Sequence, residues 1–350
     1  MVSALPRRVA VIVIAWSGAI AACSGPAPPQ QAARVGARLY VTNETSGDLT
    51  VVDTSTDAVV ATIPLGKRPR GIAVSPDRRA LYVALSGSPP AGPGVDEKSL
   101  PPPDRAADGI GVVDLKAGRL VKILPGGSDP EQVAVSRDGR LLFVANEDAA
   151  QLSVVDVALG RVAEVFKVGQ EPEGVSVSPD GRLVYVTSEG DGAVFVVDVA
   201  GQNVVKSVPV PPRPRSIAFL PNGTRAYVTS ENGAALTVID TATHDVVGTV
   251  ALGEGMRPMG VVAAPDGKFV YSTTGRSRMV LVVDTSSNQV VGSVEAGPRP
   301  WGVAITGDGK TLYTANGPSN DVSVIDVAGR RVVKKIPAGR GPWGAAIVSE

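Results

Sequence analysis

The residues that could do chemistry fall in two families of loops. One family flanks a recurring proline: Arg68 and Arg70, Asp129 and Glu131, Glu171 and Glu173, Arg213 and Arg215, Arg257 and Met259, Arg299 and Trp301, Gly341 and Trp343. The other lies four residues after a recurring aromatic and holds Glu44, Glu147, Glu189 and Glu231. In chain order the acids Asp129, Glu131, Glu147, Glu171, Glu173 and Glu189 form one block. Arg213, Arg215, Arg257 and Arg299 follow, and then Trp301 and Trp343. Guanidinium forks grip carboxylates, and an indole face stacks on a flat ligand. These residues, with Arg68 and Arg70, are therefore the candidate ligand site, with the acids forming a cluster beside it. The plain alternative is a solvated rim of balanced charge.

Other chemistry is poorly supplied. One histidine and one cysteine exclude a His/Cys metal site, and no CxxCH motif is present for haem attachment. A Ser-His-Asp triad would have to use His244, which sits among turn residues and is expected to be solvated. No glycine-rich phosphate loop opens a helix. The acidic cluster alone could support Ca²⁺ or carboxylate acid–base chemistry, without a motif for either. No catalytic residue and no metal ligand is assigned, and Ca²⁺ is the less favoured ligand.

The elements that must position these loops are strands. From Gly174 to Val210 the chain reads GVSVSPDGRLVYVTSEGDGAVFVVDVAGQNVVKSVPV, four strand-length runs each ended by turn chemistry. The unit recurs. An aspartate ends the third run at Asp53, Asp114, Asp156, Asp198, Asp240, Asp284 and Asp326, with spacings of 61, 42, 42, 42, 44 and 42 residues. An aromatic marks the second run at Tyr40, Tyr82, Phe143, Tyr185, Tyr227, Tyr271 and Tyr313. A period near forty with four strands per unit predicts an all-β fold, a seven-bladed β-propeller of four-stranded antiparallel blades. The last unit supplies only a first strand, Gly344 to Val348, and the first begins with its second, Arg38 to Thr42. Both termini are thus expected to close one blade and remove the open edges.

Within a blade the strands are called A to D from the channel outward. One face then carries the A–B and C–D turns, which are uniform, and the repeated aspartates read there as structural. The other face carries the B–C and D–A loops and all the irregularity. The long spacing is an insertion in one B–C loop, Ser88 to Asp108, too proline-rich for a strand or helix. The spacing of 44 adds residues around Gly253-Glu254-Gly255-Met256.

Net charge is zero, with 34 basic and 34 acidic residues, and nothing suggests a nucleic-acid surface. Residues 1–22 read as a signal peptide: Arg7 and Arg8, then an apolar run from Val9 to Ala22, shorter than the roughly 20 residues of a membrane span. Ile20-Ala21-Ala22-Cys23 resembles a lipobox, so Cys23 is expected to carry lipid. The alternative is an ordinary signal peptide cut near Ala22. Residues 23–37 would be a lipidated tether and 38–350 the propeller. The expectation is an exported, periplasmic chain, held at the outer membrane through its lipid alone.

Tyr40-Val41-Thr42-Asn43, Phe143-Val144-Ala145-Asn146, Tyr185-Val186-Thr187-Ser188 and Tyr313-Thr314-Ala315-Asn316, with their SPDG, VxVxD and PxG partners, resemble the YVTN β-propeller repeat from Arg38 to Val348. More narrowly, Lys67 to Val113 with SDPEQ, NEDAA, EPEG, SEGDG, RPRSIAFLPNG and RPMGVV resembles the PQQ-dependent catabolism-associated β-propeller proteins. This chain departs at Arg78-Arg79, where the repeat has Asp-Gly. The resemblance implies a non-enzymatic binding or scaffold protein accompanying a PQQ-dependent alcohol oxidation system. Its varied face would hold a periplasmic protein partner, such as a dehydrogenase of that system, or the quinone itself. PQQ is planar with three carboxylates, which suits the arginines and tryptophans. Two rivals stand beside this: a lactonase-like hydrolase using Glu131, Glu147, Glu173 and Glu189, and a structural envelope or adhesion module.

Overall fold

A computed structural model of the chain describes residues 1–2, 36–90 and 99–349. The expectations for the leader, for lipidation at Cys23 and for most of the tether lie outside the described residues. Seven separate four-stranded antiparallel sheets follow one another around a ring. The blade from Pro172–Val177 through Leu183–Ser188 and Ala193–Asp198 to Asn203–Pro209 is typical. In the closing blade, Pro342–Ser349 pairs with Ala37–Asn43, so both termini meet in one sheet as expected. The blades are numbered from this one, and their innermost strands begin at Pro342, Pro69, Pro130, Pro172, Pro214, Pro258 and Pro300.

Each blade is amphipathic toward its two neighbours, not toward solvent. The second and third strands are buried almost throughout, and their alternating side chains feed seven apolar clusters between adjacent blades. The outermost strands expose valines such as Val204, Val205, Val290 and Val291 at the rim.

The turns follow from their residues. The third-strand aspartates accept backbone N–H bonds within the C–D turns, as Asp198 Oδ1 does from Gly201 and Asp284 Oδ1 from Ser286 and Ser287. They are structural, as read. In the A–B turns a glycine takes the left-handed conformation at Gly139, Gly181, Gly223, Gly267 and Gly309, and Arg78 takes it in blade 2. The C–D turns also need one left-handed residue, and His244 fills that place in blade 5. His244 is not solvated as expected. It is half-buried, and its Nδ1 lies 2.7 Å from the Tyr185 hydroxyl of blade 4. Tyr227 reaches Asn288 in the same way. Burial, with Lys206 nearby, pushes the imidazole below its ordinary range.

Two repeated devices aim the innermost strands. First, the register between first and second strands slips just after the proline in all seven blades, as between Pro172 and Val175. This bulge turns the residue after the proline toward the axis. Second, the threonine of the YVT triplet bonds to the neighbouring blade. Thr42, Thr187, Thr229 and Thr273 donate to the carbonyls of Arg70, Arg215, Met259 and Trp301, at 2.7, 3.3, 2.8 and 2.7 Å. The contact is close because the next residue is often glycine. A Cβ at Gly174 would collide with the Arg215 carbonyl oxygen, and one at Gly344 with that of Arg70. Gly174→Ala is therefore expected to lower unfolding free energy by about 1–3 kcal/mol in urea titration. The same change at Gly118, where nothing lies within 4 Å but φ is positive, should cost about 1 kcal/mol or less.

Candidate active site at the channel mouth

The residue after each proline occupies the same place in every blade, so seven side chains converge on the axis: Trp343, Arg70, Glu131, Glu173, Arg215, Met259 and Trp301. A second ring comes from the B–C loops. It is locked to the D–A loops by backbone bonds from Glu44 to Gly341, Glu147 to Asp129, Glu189 to Glu171, and Glu231 to Arg213, all 2.8–3.0 Å. The residue before the proline must then turn sharply, and Arg68, Asp129, Glu171, Arg213 and Arg299 all take positive φ. Non-glycine residues held there carry strain, which concentrates at functional sites.

The expected division into an acidic and a basic sector does not hold at the level of contacts, because the charges interlock across blades. Arg215 reaches Glu189 at 2.7 Å, Glu231 at 3.0 Å and Glu173 at 3.1 Å. Arg70 contacts Glu131 and lies 3.7 Å from Glu173. Arg68 holds Glu44 at 3.0 Å, and Arg213 holds Glu189 at 2.7 Å. Four of the six arginines expected to form the ligand site, Arg68, Arg70, Arg213 and Arg215, are thus already engaged by protein carboxylates. Glu231 and Glu44 are integral to this network, although the sequence reading placed them outside the candidate cluster. Their spacing from the strand aromatic is the same as that of Glu147 and Glu189. Glu171 is the exception among the acids, since it is exposed and contributes its backbone carbonyl.

Two arginines differ, and for Arg299 the reason is legible. Blades 6 and 7 carry Gly275 and Gly317 where blades 1, 3, 4 and 5 carry glutamate. Arg299 consequently has no carboxylate within ion-pair distance among the described residues. Its guanidinium lies over Trp301, 5.2 Å from the ring centre. Burial, and the like charges of Arg215 and Arg276, push its pKa down against the pull of Glu231. Arg276, directly after Gly275, was missed from sequence. Among the described residues, the Arg257 side chain bonds only that of Asn232. Arg257, Arg276 and Arg299 line one side of a cavity of about 600 Å³ at the mouth, with Glu147, Glu173 and Glu231 also in its wall.

The insertion closes another side of this cavity with Ser88, Pro89 and Leu100–Pro103. It is pinned by Lys67–Asp104 at 2.7 Å, by Arg105 to Asp108 and Asp148, and by the Arg68 guanidinium on the Ser88 carbonyl. It contains a short 3-10 turn at Arg105–Ala107, which its composition did not suggest.

A second cavity, about 800 Å³, runs down the channel toward the uniform face between the innermost strands. Trp343 lines this cavity and not the mouth cavity, while its ring centre stays 5.6 Å from that of Trp301. Trp301 touches both cavities, while Trp343 is buried under Arg70 at 4.9 Å with its Nε1 unpaired. Glu173 and Arg215 also face both cavities, so the ion-paired layer separates them.

Burial shapes the titration of the network. Glu147 is pushed up to about 7, first by desolvation and then by the charges of Glu173 and Asp129. Glu189 is pushed up to about 8, chiefly by desolvation, despite its partner Arg215. Desolvation works against the Arg215 charge, but Glu173, Glu189 and Glu231 together raise its pKa and keep it cationic. A buried carboxylate poised near neutrality beside fixed guanidinium groups is the arrangement used for general-base chemistry with an anionic intermediate.

A comparison with curated proteins finds no match. Among solved structures, hydrazine synthase of Kuenenia stuttgartiensis is 21% identical with a TM-score of 0.68, covering 81% of this chain and 95% of its own. A putative 6-phosphogluconolactonase of Bacteroides uniformis is 18% identical with a TM-score of 0.73, covering 90% and 100%. One of Bacteroides fragilis is 20% identical with a TM-score of 0.70, covering 92% and 100%. At these identities the likeness establishes the seven-bladed architecture. The family described as "Lactonase, 7-bladed beta-propeller" matches residues 120–332. The match takes in five of the seven innermost-strand positions, from Glu131 to Trp301, and the chain belongs to that family.

Proposed function

We propose that the chain hydrolyses a cyclic ester at the channel mouth, and that the substrate carries a negative charge. The observation behind the reaction is Glu147, a largely buried carboxylate with a pKa near 7 in the wall of the mouth cavity. In its ionised form it takes a proton from water as the water oxygen bonds to the lactone carbonyl carbon. The carbonyl oxygen becomes an oxyanion facing Arg215 or Arg70. Collapse breaks the ring C–O bond, the departing oxygen receives the proton, and a hydroxy acid results. Arg257, Arg276 and Arg299 supply positive charge with no carboxylate at ion-pair distance among the described residues, which fits an acidic substituent on the substrate. Membership of the lactonase family supports this reading over a non-enzymatic scaffold.

Glu147→Gln is expected to lower kcat by about 10²–10⁴-fold. In chelator-treated protein the wild-type rate should rise with pH through about 7, because the base acts when deprotonated. A profile flat between pH 5 and 9, or full activity in the variant, would remove Glu147 from this role. Arg299→Ala should raise KM for a carboxylated or phosphorylated lactone by about tenfold or more, consistent with the roughly 1.5–3 kcal/mol of a charge-assisted bond. It should leave a neutral lactone nearly unaffected.

A second reading draws on the stack of Arg299 over Trp301 at 5.2 Å. A flat polyanion such as PQQ would suit that pair and its neighbours Arg257 and Arg276, in line with an exported protein serving a PQQ-dependent oxidation system. Trp301 and Trp343 are the only tryptophans beyond residue 16. Saturable quenching of their fluorescence by micromolar PQQ, abolished in Arg299→Ala and confirmed by calorimetry, is the expected result. Silent calorimetry would set this reading aside.

A further inference from the structure

The carboxylates of blade 3 are in excess of the cations that face them. One oxygen from each of Asp129, Glu131 and Glu147 lies within 4.8 Å of the other two. Glu131 is fully buried, and its Oε2 receives no hydrogen bond. Among the described residues its one ion-pair partner is Arg70, which contacts Oε1 and is shared with Glu173 and Glu44 at 3.7 and 3.8 Å. Asp129, itself buried, accepts from the Ser86 hydroxyl through Oδ1. Arg68 stands 3.9 Å from the same oxygen but is bound more closely to Glu44. A wholly buried carboxylate oxygen without a donor is costly, and more so in a side chain that has two further carboxylates close by.

We propose that Asp129, Glu131 and Glu147 bind a hard divalent cation, Ca²⁺, at the edge of the mouth cavity. The donor set is oxygen alone, which selects Ca²⁺ or Mg²⁺ over Zn²⁺. Ca²⁺ bonds oxygen at about 2.3–2.6 Å, so oxygens as far apart as these can share one ion. Mg²⁺ requires a tighter octahedron at about 2.0–2.1 Å. Asp129 and Glu147 line the mouth cavity, from which water can complete the coordination. The ion needs a single oxygen of Glu147, and the other remains available to the cavity. Occupancy would neutralise the uncompensated side of the ring and tie the D–A and B–C loops of blade 3 to its innermost strand.

The site shares Glu147 with the proposed hydrolysis, so its test is a binding measurement that needs no turnover. CaCl₂ is titrated calorimetrically into the chelator-treated chain, with thermal unfolding as a second readout. The expected result is one Ca²⁺ per chain with a Kd below about 1 mM, and a Tm that rises with Ca²⁺ concentration. Glu131→Gln should weaken binding at least about 30-fold, and Asp129→Asn should do the same if the first variant does not fold. Asp266→Asn, in an exposed turn, should leave it unchanged. Absence of a saturable site, or equal affinity in a folded Glu131→Gln or Asp129→Asn chain, overturns the assignment. Binding without hydrolysis of any lactone would sink the hydrolase reading and leave this one standing.

Discussion

Seven innermost strands converge on one axis so closely that a carbonyl of one blade lies where a side chain of its neighbour would begin. Gly174, Gly260, Gly302 and Gly344 exist to allow that approach. The threonine hydroxyls of the second strands hold it by bonding across the blade boundary. Everything at the mouth depends on this contact. The carbonyl that accepts the bond belongs to the residue whose side chain enters the site, so the backbone lock and the aim of Arg70, Arg215, Met259 and Trp301 are one feature. A blade that slipped by one residue would turn those side chains to its other face.

Once seven equivalent positions are forced together, their identities decide the chemistry. Like charges could not share so small a ring, and the chain answers by interleaving. Arg70 and Arg215 flank Glu131 and Glu173, while Glu189, Glu231 and Glu44 brace the arginines from the outer ring. The balance is uneven. On blade 3, burial first and then the nearby charges of Glu173 and Asp129 raise Glu147 toward neutrality, and a Glu131 oxygen is left without a donor. On blades 6 and 7, glycines at 275 and 317 remove the braces, and guanidinium charge is left over. A site with surplus acid on one side and surplus base on the other can hold a proton acceptor and an anionic substrate at once.

The uniform face is uniform because its turns each solve one geometric problem, a left-handed residue capped by aspartate. His244 illustrates how far that extends. Its place is dictated by the left-handed position, and its hydrogen bond to Tyr185 joins two blades as Asn288 and Tyr227 do. The Ser88 to Asp108 insertion is the contrasting case. It lies on the varied face, as its position predicted, and becomes a wall of the mouth because salt bridges from Lys67 and Arg105 fasten it there.

The sequence by itself determined the blade count, the strand order and the closure by both termini. These follow from periodic local chemistry: alternating apolar runs, turn residues and a proline at fixed spacing. It also determined which loops share the mouth, because the same position in successive repeats must return to the same place around a ring. Only the tertiary structure decided which charges pair. Arg68, Arg70, Arg213 and Arg215 were legible as mouth residues, but their carboxylate partners come from neighbouring blades through distances that no spacing encodes. It likewise decided that Trp343 lies beneath the ion-paired layer while Trp301 spans it, and that Arg276 belongs to the mouth. Pairing, burial and the resulting proton affinities depend on separations of a few ångströms between segments remote in the chain, and those separations are set by packing around the axis.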